Sequence, residues 1–189
     1  MLREKRIECV AFLIFAVIVG CGGPKTTNLT PDPSKEIKAP AWFLSTPTDP
    51  SYLFAAATMT SRDMQMAIQK AETQARTNLA QQMESKVSNL TKQFQEEVGA
   101  EEDSELLQQF TSVTKIVTQQ TLSGARSDEK ELVSEKGIYR AYVLMSLPIG
   151  EANQQLMEKI KANQALYTRF RATKGFEELN KEIDALNKQ

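Results

Sequence analysis

The sequence predicts an α+β fold in which a small antiparallel sheet of about three strands packs under one long, alanine-rich helix. Three observations predict it. A continuous apolar run at 52–57 is bounded by Pro50 and Thr58, which is typical of a buried strand. Apolar residues then recur every three or four positions from Arg62 to Val98, which indicates an amphipathic helix. Farther along, a turn signal at 135–137 joins two strand-like runs.

The first strand and the long helix begin the predicted domain. The helix is expected to end near Gly99. Its early apolar positions are mostly alanine and its later ones are larger, which suits a helix that lies close to a sheet and then extends past it. At about 1.5 Å per residue it would be roughly 55 Å long, so another part of the protein must bury its far end. The apolar positions are Met64, Ala67, Ala71, Ala75, Leu79, Met83, Val87, Leu90, Phe94 and Val98.

A helical hairpin and a second pair of strands follow. A helix at about 104–119 is the natural partner for the far end of the long helix. A polar strand at about 124–134, a tight turn at 135–137 and a strong strand at 138–147 come next. The last strand is apolar on both faces from Tyr142 onward, so we expect it in the middle of the sheet, beside the first strand.

The C-terminal region is predicted to be helical. Pro148 and Gly150 end the strand, one helix runs to about Thr173, and Gly175 breaks the chain before a short terminal helix. The terminal helix carries apolar residues at coiled-coil spacing. That stripe and the far end of the long helix predict self-association, unless the two cover each other within one chain. The candidate interface residues are Leu90, Phe94, Phe176, Leu179, Ile183 and Leu186.

The N-terminus predicts export. Residues 1–20 combine a basic start with an apolar run at 10–19, which is typical of a signal peptide and too short to span a bilayer. Ile18-Val19-Gly20-Cys21 resembles the bacterial lipobox. In such precursors the chain is cut before the cysteine, which then carries the lipid that holds the protein on the membrane. The alternative is an ordinary secretory signal that leaves Cys21 as a free thiol, since Cys9 lies in the removed segment.

Residues after Cys21 predict a spacer and an anchored domain. Gly22, rather than Asp, follows the cysteine, which implies sorting to the outer membrane in proteobacteria. Six of the seven prolines lie between 24 and 50, so residues 21–39 are expected to form a flexible tether that reaches up to roughly 60 Å. An α+β domain at 40–148 and C-terminal helices at 149–189 complete the predicted organisation, with Trp42 buried against the sheet.

Composition excludes several classes of function. The chain has 23 Lys and Arg against 24 Asp and Glu, whereas nucleic-acid binding calls for a strongly basic face. It has no His, and its only cysteines are Cys9 and Cys21. The mature chain therefore lacks the usual general base, thiol nucleophile and commonest transition-metal ligand. We expect no enzymatic activity, no cofactor and no metal.

The order of parts resembles a known family. The residues that carry the likeness are Pro40-Ala41-Trp42-Phe43, Tyr52-Leu53-Phe54-Ala55, Ala67, Ala71, Ala75-Arg76, Leu79-Ala80 and Tyr139-Arg140-Ala141-Tyr142-Val143-Leu144. Over about 40–148 they resemble the small outer-membrane lipoproteins typified by the twenty-kilodalton surface lipoprotein of Helicobacter, to which flagellar basal-disk lipoproteins are similar. The resemblance implies a small α+β domain at the outer membrane, often assembled into larger surfaces. It carries over no catalytic residue, only the lipid-bearing Cys21.

Four weaker patterns each have a simpler structural explanation. Glu129 and Glu131 share a strand face as a carboxylate pair might, but an exposed hairpin gives the same pattern. Methionines 59, 64 and 66 could bind Cu(I), although core packing explains them better. An acidic run at 96–105 lacks the order of a calcium loop. A basic cluster could contact anionic lipid or cell-wall glycan, or simply complement a helix dipole; its residues are Arg169, Arg171 and Lys174.

The expected function is a non-enzymatic lipoprotein, held in the outer membrane through lipid on Cys21, that supports an envelope assembly. Its partners would be further copies of itself or another envelope protein. The alternative is a binding module for cell-wall glycan or lipid, for which the candidate aromatic residues are Trp42, Phe43, Tyr52 and Tyr142.

Overall fold

The computed structural model describes residues 39–99 and 103–188. These residues form the predicted α+β fold, with a three-stranded antiparallel sheet, a long helix over it and further helices at the C-terminus. In chain order the elements are α1 (Ala41–Leu44), β1 (Tyr52–Ser61), α2 (Met64–Val98), α3 (Ser104–Leu122), β2 (Arg126–Glu135), β3 (Ile138–Pro148), α4 (Gly150–Lys161), α5 (Gln164–Phe170) and α6 (Lys174–Leu186).

The sheet has the strand order β1-β3-β2, so the predicted central position of β3 is confirmed. Tyr52 lies opposite Pro148 at one end of the β1–β3 pair. Strands β2 and β3 are joined by a two-residue turn at Lys136 and Gly137, whose φ angles are 51° and 77°. Two positive φ angles match the twist of a tight hairpin, which is why a glycine is favoured here.

The first half of α2 packs on one face of the sheet through alanine. Ala67, Ala71 and Ala75 have no exposed surface and contact the inward side chains of β1 and β3. The Asp63 carboxylate caps the helix by accepting a hydrogen bond from the Met66 backbone N–H at 2.7 Å. The helix therefore begins at Met64, which is 50% exposed. The prediction that Met64 lies on the apolar face of the helix is wrong, because Ala67 is the first residue of α2 that reaches the sheet.

The second half of α2 extends past the sheet and packs against the other helices. Leu90, Phe94 and Val98 are buried there in a second core. The Phe94 ring stacks on Phe110 of α3, with ring centroids 4.4 Å apart. Phe170 of α5 lies 5.3 Å from Phe110, centroid to centroid. The helical hairpin and the C-terminal helices thus bury the far end of α2.

The C-terminal helices begin and end differently from the sequence prediction. The expected helix to Thr173 is two helices, because Asn163 caps α5: its side-chain oxygen accepts hydrogen bonds from the N–H groups of Ala165 and Leu166, both at 3.1 Å. The second break occurs at Thr173, whose hydroxyl accepts from the backbone N–H of Phe176 at 3.1 Å. Gly175, the predicted break, lies inside the first turn of α6.

The short helix α1 lies on the face of the sheet opposite α2. Phe43 packs edge-on against Tyr142 of β3, with ring centroids 4.9 Å apart. Tyr142 alternates with Val143, which contacts α2 on the other face. Trp42 is only half-buried and meets Phe43 at 6.3 Å, so its expected burial against the sheet is wrong. The described chain thus enters the domain on the face opposite α2.

Candidate functional surface

The six candidate interface residues are covered within one chain. Leu90, Phe94 and Leu179 are 5%, 0% and 1% exposed. The remaining three are half-buried in the same helical region. The alternative holds: the apolar stripes are covered within one chain, because α3 and α5 cover the far end of α2 and α6 packs against α2 and α4. Self-association stays a prediction, and it needs another surface.

The weaker candidate sites are dispersed over the surface. Met64 and Met66 are 50% and 44% exposed, so core packing does not explain them. Glu129 and Glu131 are exposed on β2. Within the described ranges, no group of three or more His, Cys, Asp or Glu is placed to hold a metal ion. Cys21 and the predicted signal peptide at 1–20 lie outside the described residues.

The basic cluster is partly occupied by contacts within the chain. Arg169 forms an ion pair at 3.2 Å with Asp103, at the start of α3. The Arg171 guanidinium lies over the Tyr167 ring, 6.0 Å from its centroid. Lys174 is exposed in the first turn of α6. These contacts give two of the three cations a local structural role.

Strand β1 presents an open edge. One side of β1 pairs with β3, and no strand among the described residues pairs with its other side. The Ile149 N–H donates to the Ser51 carbonyl at 2.8 Å, so odd-numbered residues of β1 hydrogen-bond inward. Even-numbered residues then direct their N–H and C=O groups outward. The Phe54 carbonyl shows this, because it accepts a hydrogen bond from the Gln82 side chain of α2 at 3.0 Å.

The two edge strands differ in how they resist pairing with another chain. Strand β2 reads RSDEKELVSE and has an irregularity between Ser127 and Glu129. Charges and bulges are the usual protection of an exposed edge. Strand β1 reads YLFAAATMTS, with no charge, no proline and a continuous register against β3. The sheet therefore has one protected edge and one unprotected edge.

The middle of the α2 flank beside β1 is also uncharged; Lys70 and Lys86 follow the same four-residue spacing at its two ends. Gln82 lies on this flank, because its side chain donates to the Phe54 carbonyl. Gln74 and Asn78 precede it at four-residue intervals, and the Gln74 amide donates to the Asn78 side-chain oxygen at 2.9 Å. The opposite flank carries Glu72, which forms an ion pair with Lys130 of β2. We call the unprotected side of the domain the β1 edge surface; it consists of Phe54, Ala56, Thr58 and Thr60 of β1 with Gln74, Asn78, Gln82 and Ser85 of α2.

An open groove of about 740 Å³ continues this surface between α2 and α6. An ion pair between Lys86 and Glu182 crosses it. The Asn153 side-chain amide of α4, 2% exposed, donates to the Glu182 carboxylate at 2.7 Å. This network ties three helices together. The remaining polar lining offers amide, hydroxyl and carboxylate groups that can hydrogen-bond to a polar ligand; it includes Asn78, Gln81, Gln82, Ser85, Asn89 and Glu178.

The four aromatic residues expected to form a glycan groove do not line this one. Trp42, Phe43 and Tyr142 form one cluster on the sheet face opposite α2. Tyr52 lies farther along that face, beside Phe54. Tyr142 is 2% exposed, so its ring is not available to stack on a sugar.

Comparison of the chain with protein-family models, curated proteins and solved structures finds no match. The resemblance to outer-membrane lipoproteins therefore stays a prediction. Across 39–99 and 103–188, no helix combines the length and apolarity needed to cross a membrane. Function is inferred below from this chain's own residues.

Proposed function

We propose that this protein is a non-enzymatic lipoprotein, held at the outer membrane through Cys21, with a structural or assembly role in the cell envelope. The observation that carries the assembly role is the unprotected edge of β1. Exposed edge strands pair readily with other chains, and proteins commonly block them. This chain blocks β2 and leaves β1 open. An edge kept available in this way suits pairing with a further copy or with an envelope partner.

The anchoring part of the proposal is supported by the sequence. The lipobox-like run ending at Cys21 supplies an acylation site, and the proline-rich stretch after it supplies a spacer. The first helix of the described residues, α1, lies on the sheet face opposite α2, and the edge of β1 is on neither face.

The groove between α2 and α6 favours a second candidate function, binding of a cell-wall glycan. Amide and carboxylate side chains line it, and such groups hydrogen-bond well to sugar hydroxyls. Purified peptidoglycan should then retain the wild-type protein and release a Gln81→Ala, Asn89→Ala double variant, whereas a Thr73→Ala control on the exposed surface behaves as wild type. Equal retention of all three proteins would remove this candidate.

The anchoring step is tested by Cys21→Ala. The wild-type protein should fractionate with membranes at its mature size. The variant should stay uncleaved by the lipoprotein peptidase, and any processed form should leave the membranes. A mature-sized, membrane-bound variant would show that the lipid is attached elsewhere or not at all.

The assembly step is tested in cells with a photo-crosslinking amino acid at Thr60, which is exposed on the β1 edge. The matched control position is Ser134, the exposed penultimate residue of β2. We expect a discrete adduct from position 60 and none from position 134. If neither position yields an adduct and the detergent-solubilised protein is monomeric, the assembly role is wrong.

A further inference from the structure

We propose that a second copy of this chain occupies the β1 edge surface, with β1 of the two copies paired antiparallel in one continuous sheet. This pairing rests on the assembly role proposed above and deepens it by naming the partner and the surface. It differs from the self-association through exposed apolar helix stripes that the sequence predicted, because Leu90, Phe94 and Leu179 of those stripes are buried within one chain.

The backbone of β1 is self-complementary. Ala56 is the middle residue of those that direct their N–H and C=O groups outward. A two-fold axis through the edge at Ala56 places Phe54 of one copy opposite Thr58 of the other. The outward N–H and C=O groups of Ala56 then pair with those of its symmetry mate, as an isologous interface requires. Strand β1 has no charge or bulge that opposes this register. The Gln82 side chain must leave the Phe54 carbonyl before Thr58 of the second copy can donate to it.

The position of α2 also fits a second copy. The helix packs over β1 and β3 equally, so its axis lies about half a strand spacing inside the β1 edge. Paired strands are about 4.8 Å apart, so the α2 axes of two copies would lie about 10 Å apart. Packed helices have interaxial distances of about 8–10 Å. Extending the sheet therefore places the two α2 axes at about helix-packing distance.

Uncharged amide side chains form the middle of that helix contact, between Lys70 and Lys86 at its two ends. Gln74, Asn78 and Gln82 lie along the flank that would meet its symmetry mate. Amides can both donate and accept hydrogen bonds, so like residues can pair across a two-fold axis.

The arrangement is compatible with two lipid anchors on one membrane. Helix α1 lies on the sheet face opposite α2 in each copy. A two-fold axis perpendicular to the sheet keeps both α1 helices on the same face, so the described residues of both copies begin on that face. Sharing a membrane raises the effective concentration of each copy for the other, which strengthens an otherwise weak edge pairing.

The test uses the full lipoprotein purified in detergent, with Ala56→Cys to report the two-fold axis. Hydrogen-bonded cross-strand residues have Cα atoms about 5.5 Å apart, within the disulfide range of about 4.4–6.8 Å. Mild oxidation should therefore give a disulfide-linked dimer. Ser134→Cys, on the protected edge, is the matched control and should remain monomeric on a non-reducing gel.

Two proline variants, one on each edge strand, test the edge pairing without introducing a cysteine. Thr60 and Ser134 are both exposed and penultimate in their strands, and the ladder directs both N–H groups away from β3. Thr60→Pro removes one intermolecular hydrogen bond in each copy, each of about 1 kcal/mol, so dimerisation should weaken about 30-fold. Ser134→Pro should dimerise as wild type. Thermal melts of both variants confirm that each remains folded.

The outcomes separate the two proposals. A dimer that Ala56→Cys links and Thr60→Pro weakens supports edge pairing. Oligomers that persist in Thr60→Pro, with no Ala56→Cys linkage, overturn edge pairing and leave the assembly role standing. An adduct with another protein at position 60, from a lipoprotein that is itself monomeric, also overturns it. Monomers with no adducts at all overturn both.

Discussion

The two halves of α2 build two different cores from one continuous helix. In the first half, Ala67, Ala71 and Ala75 bring the helix backbone close to the sheet. In the second half, Leu90 and Phe94 reach outward to aromatic residues of α3 and α5. Small side chains permit a short helix–sheet distance, whereas large ones fill the wider space between helices.

The difference decides which part of the molecule is left open. Beyond the sheet, α2 is surrounded by α3, α5 and α6, so its strongly apolar stripe is covered. Over the sheet, one close-packed helix covers the face of β1 but cannot cover its edge. The surface left for a partner therefore lies beside the weakly apolar half. Exposed backbone, rather than exposed apolar side chains, marks it.

The largest expected effect is in the helical core. Phe94→Ala should lower the free energy of unfolding by about 3–5 kcal/mol, because Phe94 is fully buried and stacks on Phe110. Chemical denaturation measures the change, with Met66→Ala as an exposed control expected within about 0.5 kcal/mol of wild type. Leu90→Glu or Phe94→Glu should unfold the domain, because both side chains are buried within one chain; neither should act by disrupting an interface. A loss below 1 kcal/mol for Phe94→Ala would mean that this half of α2 is not packed as described.

The alanine packing is probed by the opposite kind of change. Ala71→Leu should cost about 1–3 kcal/mol, since three added carbon atoms must enter the gap between α2 and the sheet. Thr73→Leu, two residues along on the exposed side, is the matched control and should change stability by less than about 0.5 kcal/mol. If the two leucine variants melt alike, the close helix–sheet distance does not hold.

The contact between α2 and α6 depends on a glycine. A Cβ at Gly175 would lie 2.9 Å from the Leu90 side chain and 2.8 Å from that of Gln93. Gly175→Ala should therefore cost about 1–2 kcal/mol, even after the better helix propensity of alanine. Gly150→Ala meets Leu186 in the last turn of α6, which can shift, so it should cost less. Equal melting temperatures for Gly175→Ala and wild type would contradict the tight packing.

The smallest expected effect is at α1, on the other face of the sheet. Trp42→Ala should cost about 1 kcal/mol or less, because the ring is half-buried, whereas full burial would make the loss about 3–5 kcal/mol. Phe43→Ala should cost more than Trp42→Ala, since Phe43 packs directly on Tyr142. A thermal melt of each variant compares them. The reverse order would place Trp42, not Phe43, against the sheet.

Much of the fold could be predicted because its elements carry clear local patterns. The apolar run at 52–57 and the strong strand pattern at 138–147 identified two strands, and the double-sided apolar character of β3 put it in the centre. The helix breaks were harder. Asn163 and Thr173 begin new helices as side-chain N-caps; these signals are local but compete with strong helix signals on both sides. Gly175 was predicted to break the helix because glycine commonly ends helices. Its packing against Leu90 could not be predicted, because Leu90 is distant in the sequence.

Only part of the β1 edge surface could be predicted from the sequence. A central β3 leaves β1 and β2 at the edges, and the contrast between an uncharged and a charged strand is visible in the letters alone. That the α2 flank next to β1 is the one with the uncharged middle depends on the contacts of Gln82 and Glu72. Those contacts follow from how the helix is rotated on the sheet.

The sequence by itself determined the α+β class, the order of the three strands and the helical hairpin along the chain, the length of α2 and the central strand. Each of these follows from periodicity within a single segment. Only the tertiary structure decided which apolar stripe is covered and which strand edge is open. Phe94 is buried by Phe110 and Phe170, and no pattern within α2 records where those residues lie. Exposure is a property of neighbours in space, so a local pattern shows which face is apolar but not what covers it.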